Sequence, residues 1–253
     1  MENKMKNTAK NGKVLAALGA VVLVGTIAFG ACTSSPTPTN TTPAAVVVNK
    51  QTNNAVPEKA VAVDTNSGKM PAAVTDAGEF AENIYDFAKA KDWMKADARL
   101  VSLEKSVNDL KTANLATPQI LAATDSIGKA VKAKNEIDAM REANQATFLV
   151  ADLTAKYNPK VPVEVVKLDY YGREIEILSM TKDEAKLKMT AQAIRKTWNA
   201  VKPKMEAKGA GKETAKFESL VAQTEKAASV SDYSKVATPI LDEVDNLEKV
   251  FEK

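Results

Sequence analysis

Residues 160–183 read KVPVEVVKLDYYGREIEILSMTKD, and this stretch decides how the rest of the chain is interpreted. It repeats the pattern of residues 69–92, KMPAAVTDAGEFAENIYDFAKAKD, at an offset of 91 positions. A repeated pattern of this kind indicates a duplicated structural unit. The two stretches share a starting lysine and proline, apolar residues at helical spacing and a closing aspartate, namely Lys69/Lys160, Pro71/Pro162, Val74/Val165, Ile84/Ile175, Phe87/Leu178 and Asp92/Asp183.

Helix boundaries can be placed by the same residue types along residues 69–253. Apolar residues recur there at spacings of three and four, which predicts α-helices that each bury one stripe. Asp92, Asn135 and Asp183 each follow a lysine where a new stripe begins, and Asp232 follows Ser231 in the same way. Such side chains accept hydrogen bonds from the first turn of a helix, so these positions predict helix starts.

Two further helix starts are predicted from local motifs. Thr117 precedes Pro118, which is the order of a capping residue and a first helical proline. Thr181 and Glu184 have the spacing of a capping box, which places a helix start at Thr181.

We therefore predict an all-α protein: an antiparallel helical bundle built from two tandem copies of a helical-hairpin unit, with four hairpins in all. Residues 69–158 form the first copy and residues 159–253 the second. A competing register pairs ATPQIL at 116–121 with ATPIL at 237–241, but the 91-residue register aligns linker, stripe and cap together. The pattern does not separate two adjacent bundles from one continuous helical array.

The first 32 residues differ in kind from the rest. A basic head is followed by an apolar run over residues 14–29 and then by Gly30, Ala31 and Cys32. This segment resembles a bacterial lipoprotein precursor. The resemblance implies that residues 1–31 are a signal peptide removed by a peptidase and that Cys32 carries lipid. Cys32 is the only cysteine, so it has no intramolecular disulfide partner, and the alternative role is a small buried apolar side chain.

Residues 32–68 contain the predicted lipidated cysteine and a segment rich in Thr, Pro and Asn. A segment of this composition buries too little apolar surface to offset the entropy cost of ordering it. We predict a disordered tether. The alternative is a small β-hairpin formed by the valine runs at 46–48 and 61–63.

The charge balance argues against nucleic acid as a partner. The whole chain has 35 basic and 32 acidic residues, and removal of residues 1–31 takes away four lysines and one glutamate, which leaves 31 of each. A nucleic-acid-binding surface needs a clustered basic excess, and the predicted mature protein has none overall.

The residue types needed for common catalytic sites are scarce. The chain contains no histidine, so the commonest general base and metal ligand are missing. No Walker loop, dinucleotide-binding glycine turn, nucleophile elbow or EF-hand loop is present. We therefore predict a non-enzymatic protein without a cofactor or a metal site.

The strongest candidate for a binding site lies in the opening stretch. Asp169 and Arg173 are four residues apart and would share a helix face beside Tyr170. One interpretation is a ligand pocket in which Arg173 binds an anion or a carboxylate. The other is a structural ion pair at the junction of the two copies, with Gly172 kept small for close packing. Asn144 interrupts an apolar stripe and either fixes the register of the core or contributes to this pocket.

A second acidic region is predicted to be a solvated surface. Asp242, Glu243, Asp245 and Glu248 suggest a calcium site by composition, but they alternate with apolar residues of the last helix. We therefore expect most of these carboxylates to face water.

The sequence favours a lipid-anchored extracytoplasmic binding or scaffold protein of the bacterial cell envelope. Its partners would be the membrane, through the lipid, and an envelope protein. The anchoring membrane would be the cell membrane or the outer membrane, depending on the envelope type. The alternative is a solute- or cation-binding lipoprotein with a pocket between the two copies. Convergence of Arg173 and Tyr170 on an enclosed cavity would favour that alternative, whereas pairing of these two residues within a packed junction would contradict it.

Overall fold

A computed structural model describes residues 68–253, which form eight α-helices and contain no β-strand in that range. This confirms the predicted all-α helical bundle. The predicted signal peptide, Cys32 and nearly all of the predicted tether lie outside the described residues. The helices are α1 (Ala72–Lys89), α2 (Trp93–Thr112), α3 (Pro118–Lys132), α4 (Glu136–Thr154), α5 (Val163–Thr181), α6 (Glu184–Ala207), α7 (Gly211–Lys226) and α8 (Val230–Glu252), with a short 3-10 helix at Ala155–Tyr157.

Most helix starts follow the predicted capping residues. The side chains of Asp92, Thr117, Asn135 and Asp183 each accept a hydrogen bond from the backbone N–H three residues later. The lysines that precede the three acidic or amide caps have left-handed backbone conformations, with φ of 57°, 53° and 57° at Lys91, Lys134 and Lys182. The lysine therefore ends one helix and the following side chain begins the next.

Two predicted helix starts are wrong by two or three residues. Thr181 is the last residue of α5, and its hydroxyl donates to the carbonyl oxygen of Ile177, so it does not cap α6. The last helix is capped by Ser229, and Asp232 lies in its first turn. In both places a second capping residue close in sequence has the required extended or intermediate backbone.

The eight helices form two groups of four. In each group the helices pack in a ring: α1 and α3 each contact α2 and α4, and α5 and α7 each contact α6 and α8. Each ring encloses its own hydrophobic core, and α4 packs against α5 to join the groups. The described chain is thus two adjacent four-helix groups. That these groups arose as copies of one unit stays a prediction.

The matched residues of the two opening stretches lie in these cores. Val74 and Ile84 are fully buried in the first group, and Val165 and Ile175 are fully buried in the second. Ile177 departs from this division because it belongs to α5 but packs into the core of the first group. Helix α5 therefore buries residues on more than one face.

None of the helices within residues 68–253 is long and apolar enough to span a lipid bilayer.

Gly172 sets the distance between α5 and α8. A Cβ added to Gly172 would lie 2.7 Å from Cδ2 of Leu241 and 3.2 Å from Cγ2 of Ile240. At Gly78 of α1 the nearest atom to an added Cβ would be Cγ1 of Val150 at 3.5 Å, an ordinary van der Waals contact. Of these two glycines, only Gly172 is therefore required by close packing.

We expect opposite effects of alanine at these two glycines. Gly78→Ala should raise the free energy of unfolding by about 0.5–1 kcal/mol, because alanine favours the helix and nothing obstructs its methyl group. Gly172→Ala gains the same helical preference but overpacks the α5–α8 contact, so it should lower the free energy of unfolding by about 1 kcal/mol net. Urea titration of both variants measures the difference. Equal effects at the two positions would show that α5 and α8 have room to separate.

Candidate functional site

The predicted pair of Asp169 and Arg173 forms at the junction of the two helix groups. Nε of Arg173 lies 2.8 Å from Oδ2 of Asp169, and the two side chains expose 12% and 13% of their surface. The guanidinium also lies over the ring of Tyr85, 4.9 Å from its centroid. Its Nη2 is 3.9 Å from Oε2 of Glu82. Both Tyr85 and Glu82 belong to α1, so Arg173 links α5 to the first group.

This ion pair leaves polar atoms without hydrogen bonds. Nη1 of Arg173 is buried and has no hydrogen-bond partner, and Oδ2 of Asp169 has only its ion pair with Nε of Arg173. Burial raises the pKa of the Asp169 carboxyl, although the charge of Arg173 opposes this shift. The attraction within the pair therefore offsets only part of the free-energy cost of burying the two charges.

Asn144 joins α4 to a neighbouring face of α5. Its side chain is fully buried, and Nδ2 donates to the carbonyl oxygen of Tyr170 and to Oε1 of Glu174, each at 3.1 Å. Its Oδ1 has no hydrogen-bond partner. Burial raises the pKa of the Glu174 carboxyl, while the hydrogen bond from Asn144 lowers it. Asn144 thus fixes α4 against α5 by bonding both backbone and side chain.

Tyr170 lies in an aromatic cluster on that same side of α5. Its ring centroid is 4.6 Å from that of Phe148 on α4 and 5.1 Å from that of Tyr171. Asp169 and Arg173 instead face α1. The four residues selected from the sequence therefore divide between two faces of α5 and do not converge on one cavity.

A second link between α1 and α5 was missed by sequence reasoning. The hydroxyl of Tyr85 donates to Oε2 of Glu176 at 2.7 Å, and Nζ of Lys89 lies 2.6 Å from Oε1 of the same carboxylate. Tyr85 is almost fully buried, and burial raises the pKa of its hydroxyl above the ordinary value. The available signal was the repeat itself, because Tyr85 and Glu176 are 91 residues apart.

Two carboxylates that sequence reasoning did not select also lie at the junction. Burial raises the pKa of Glu82 on α1 to about 7, against the opposing charge of Arg173, although 36% of the Glu82 side-chain surface remains in contact with water. Burial also raises the pKa of Glu248 on α8 to about 7, and the charges of Asp169 and Asp245 add to this shift. The charge of Arg173 therefore acts on three carboxylates, those of Glu82, Asp169 and Glu248.

The prediction of a solvated acidic face on the last helix is wrong at two positions. Glu248 is half-buried, and Glu243 exposes only 1% of its surface and pairs with Lys216 and Asn246. A signal for Glu248 existed, because it lies four residues after Val244 and so shares a helix face with that core residue.

A cleft open to solvent lies beside these carboxylates. Its volume is about 350 Å³, and residues from α1, α4, α5, α8 and the segment before α5 line it. Its walls are mostly apolar, and Glu82 and Glu248 are part of the lining. Asp169, Tyr170, Arg173 and Asn144 do not line this cleft.

A separate polar network fastens α6 to α7. Glu218 accepts hydrogen bonds from Nη1 of Arg195 at 2.6 Å, Nε1 of Trp198 at 2.8 Å and Nζ of Lys202 at 3.0 Å. These bonds lower the pKa of Glu218 to about 2. Arg195 also forms two hydrogen bonds to Glu225. The network lies on the surface and holds two helices together, which is a structural role.

Within residues 68–253, no three or more His, Cys, Asp or Glu side chains are grouped so that they could hold a metal ion. Comparison with protein-family models, curated proteins and solved structures finds no match for this chain. The candidate site is therefore defined by its geometry alone.

We expect the junction carboxylates to make the protein less stable as the pH rises. Glu82 and Glu248 have an ordinary pKa of 4.5 and a folded-state pKa of about 7. The folded protein therefore holds these protons more tightly, and the stabilisation is complete below the ordinary pKa and lost as the pH rises through about 7. The double variant Glu82→Gln, Glu248→Gln should show a smaller fall in melting temperature between about pH 5 and 8. Part of this fall in melting temperature should remain in the double variant, because burial also raises the pKa values of Asp169 and Glu174.

Glu218→Gln is the matched control for this titration. Because its pKa is lowered to about 2, the stabilisation from Glu218 is constant above pH 4.5 and is lost only as the pH falls toward 2. The control variant should keep the wild-type slope between about pH 5 and 8. An unchanged slope in the double variant would show that Glu82 and Glu248 titrate at ordinary pH values.

Proposed function

We propose that the protein is a lipid-anchored, extracytoplasmic binding or scaffold protein of the bacterial cell envelope, without enzymatic activity. The observation that carries the proposal is an exposed apolar face on α2. Met94 and Val101 expose 80% and 62% of their surface. They are seven residues apart, which places them two turns apart on the same side of the helix. Ala98, also exposed, lies between them.

The position of the patch suits a protein partner. Helix α2 packs against α1 and α3, and its core-facing residues are Ala96, Leu100, Leu103 and Val107. Met94 and Val101 are not used in this packing. Large apolar side chains on an outer helix face are a common feature of protein–protein contacts, and methionine is enriched there.

The lipid anchor in this proposal rests on the resemblance of residues 1–32 to a lipoprotein precursor. Anchoring would hold the helical part close to a membrane, which is the cell membrane or the outer membrane according to the envelope type. The balance of 31 basic and 31 acidic residues after position 31 supports a protein partner over nucleic acid.

A second candidate function is supported by the cleft. A solute- or cation-binding lipoprotein would use a pocket between the two helix groups, and residues of both groups line the cleft that contains Glu82 and Glu248. In this candidate the ligand meets these two carboxylates, and Arg173 remains in its ion pair with Asp169.

The lipid anchor can be tested with Cys32→Ser. We expect the wild-type chain, produced with its own N-terminus in a bacterium that processes lipoproteins, to incorporate radiolabelled palmitate and to sediment with membranes. Cys32→Ser should lose the label, because serine offers no thiol for the thioether bond. The melting temperature of the helical part should not change. Palmitate labelling of the serine variant would contradict the assignment of Cys32.

The partner surface can be tested by site-specific photocrosslinking in intact cells. We expect a benzophenone side chain at position 94 or 101 to give the same discrete adduct, because both positions lie on the exposed face of α2. Positions 212 and 219 are the matched controls: Lys212 and Ser219 are exposed, lie seven residues apart on α7, and have no exposed large apolar side chain between them. Adducts of equal yield at all four positions, or none at 94 and 101, would contradict the proposal.

A further inference from the structure

The cleft at the junction has the size and walls of a small-molecule site. Its volume of about 350 Å³ falls within the range of roughly 300–1,000 Å³ that is typical of such sites. The apolar walls come from separate parts of the chain, which are Met70 before α1, Val74 on α1, Val150 on α4, Val161 before α5 and Val166 on α5.

The lining has three carboxylates, Glu79, Glu82 and Glu248, and one lysine, Lys160, which forms no ion pair with them. The guanidinium nearest to Glu82 is that of Arg173, at 3.9 Å, and this guanidinium is closer to Asp169, at 2.8 Å. Within residues 68–253, Glu248 takes part in no ion pair. The carboxylate of Asp169 is already paired with Arg173, and its charge adds to the negative charge near Glu82 and Glu248. The junction therefore holds more negative than positive charge.

We propose that the cleft binds a small organic cation, with its ammonium group between Glu82 and Glu248 and its apolar body against the valine and methionine walls. An ammonium group would supply the counter-charge that Arg173 does not, and it would donate charge-assisted hydrogen bonds to both carboxylates. The hydrocarbon part would displace water from the apolar walls. An anionic ligand would meet like charge at the same place.

The charges that face these carboxylates come from three helices. Glu82 is close to Arg173, Asp169, Glu248 and Asp86, and Glu248 is close to Asp169, Asp245, Glu252 and Arg173. The cleft is also lined by Glu79 and by Lys160, whose Nζ donates to the backbone oxygen of Glu252. Glu82 and Glu248, with pKa values of about 7, are partly protonated at neutral pH. A bound cation favours their charged forms, so its binding should release protons.

This inference rests on the second candidate function and is independent of the partner surface on α2. The test uses isothermal titration of the full chain with benzylamine at pH 7, in two buffers of different ionisation enthalpy. We expect benzylammonium to bind and the apparent enthalpy to depend on the buffer, because protons leave Glu82 and Glu248. Benzyl alcohol, which has the same ring without the charge, should bind at least about tenfold more weakly.

Two variants test the contribution of the carboxylates to ligand binding separately from that of the apolar walls. Glu82→Gln with Glu248→Gln should weaken benzylammonium binding at least about tenfold and abolish proton release, while leaving the weak binding of benzyl alcohol unchanged. Thr75→Trp should weaken both ligands, because Thr75 is an exposed residue that lines the cleft and a tryptophan there would obstruct it. Melting curves of both variants verify that they are folded.

The outcomes test separately whether the cleft binds a ligand and whether that ligand must carry a positive charge. Benzyl alcohol and benzylammonium could bind equally, without proton release, and be blocked by Thr75→Trp. This result would contradict the proposal that the ligand is a cation and would support the cleft as a ligand-binding site. No binding of either probe would overturn both the cation and the second candidate function, and would leave the crosslinking test on α2 unaffected. Binding of benzylammonium that both variants leave unchanged would place the site elsewhere and would also overturn the proposal.

Discussion

Helix α5 has to bury two faces at the same time, and the arrangement of the two helix groups depends on this constraint. Val165 and Ile175 pack into the core of the second group, whereas Ile177 packs into the core of the first. A helix that is apolar on more than one side must be covered on each of those sides. Helices α6 and α8 cover one part of its surface and α4 covers another. Contact between the two groups therefore follows from the sequence of one helix.

The same constraint explains why charged groups are buried at the junction. Asp169, Arg173 and Asn144 lie where helices from both groups meet, so water cannot solvate them fully. Buried charges are costly unless they are paired, and Arg173 is the one guanidinium close to several carboxylates there. Glu82 and Glu248, which share the charge of Arg173 with Asp169, are part of the lining of a mostly apolar cleft. The burial of charged side chains at the junction thus gives the candidate site its acidic character.

The sequence predicted those features of this site that depend on residues close together in the chain, and it did not predict the others. The ion pair of Asp169 and Arg173 joins residues one turn apart, so spacing alone predicted it. Glu248 was assigned to a solvated face because periodicity describes the outer side of one helix and carries no information about a neighbour 75 or more residues away. Tyr170 was grouped with Arg173 because the two are close in sequence, but adjacent positions on α5 point toward different helices. A pocket between the two copies was one alternative, but its lining residues could not be predicted, since they come from four helices and a connecting segment.

Capping and periodicity act within a few residues, so the helical class, most of the helix starts and the core residues Val74, Ile84, Val165 and Ile175 could be predicted from the amino-acid sequence. It also supplied the resemblance of residues 1–32 to a lipoprotein precursor, which lies outside the described residues. The two rings of four helices, the packing of α5 into both cores and the position of Glu82 and Glu248 in one cleft are visible only in the folded protein. Those features depend on contacts between residues far apart in the chain, and such contacts are set by how whole helix faces fit together.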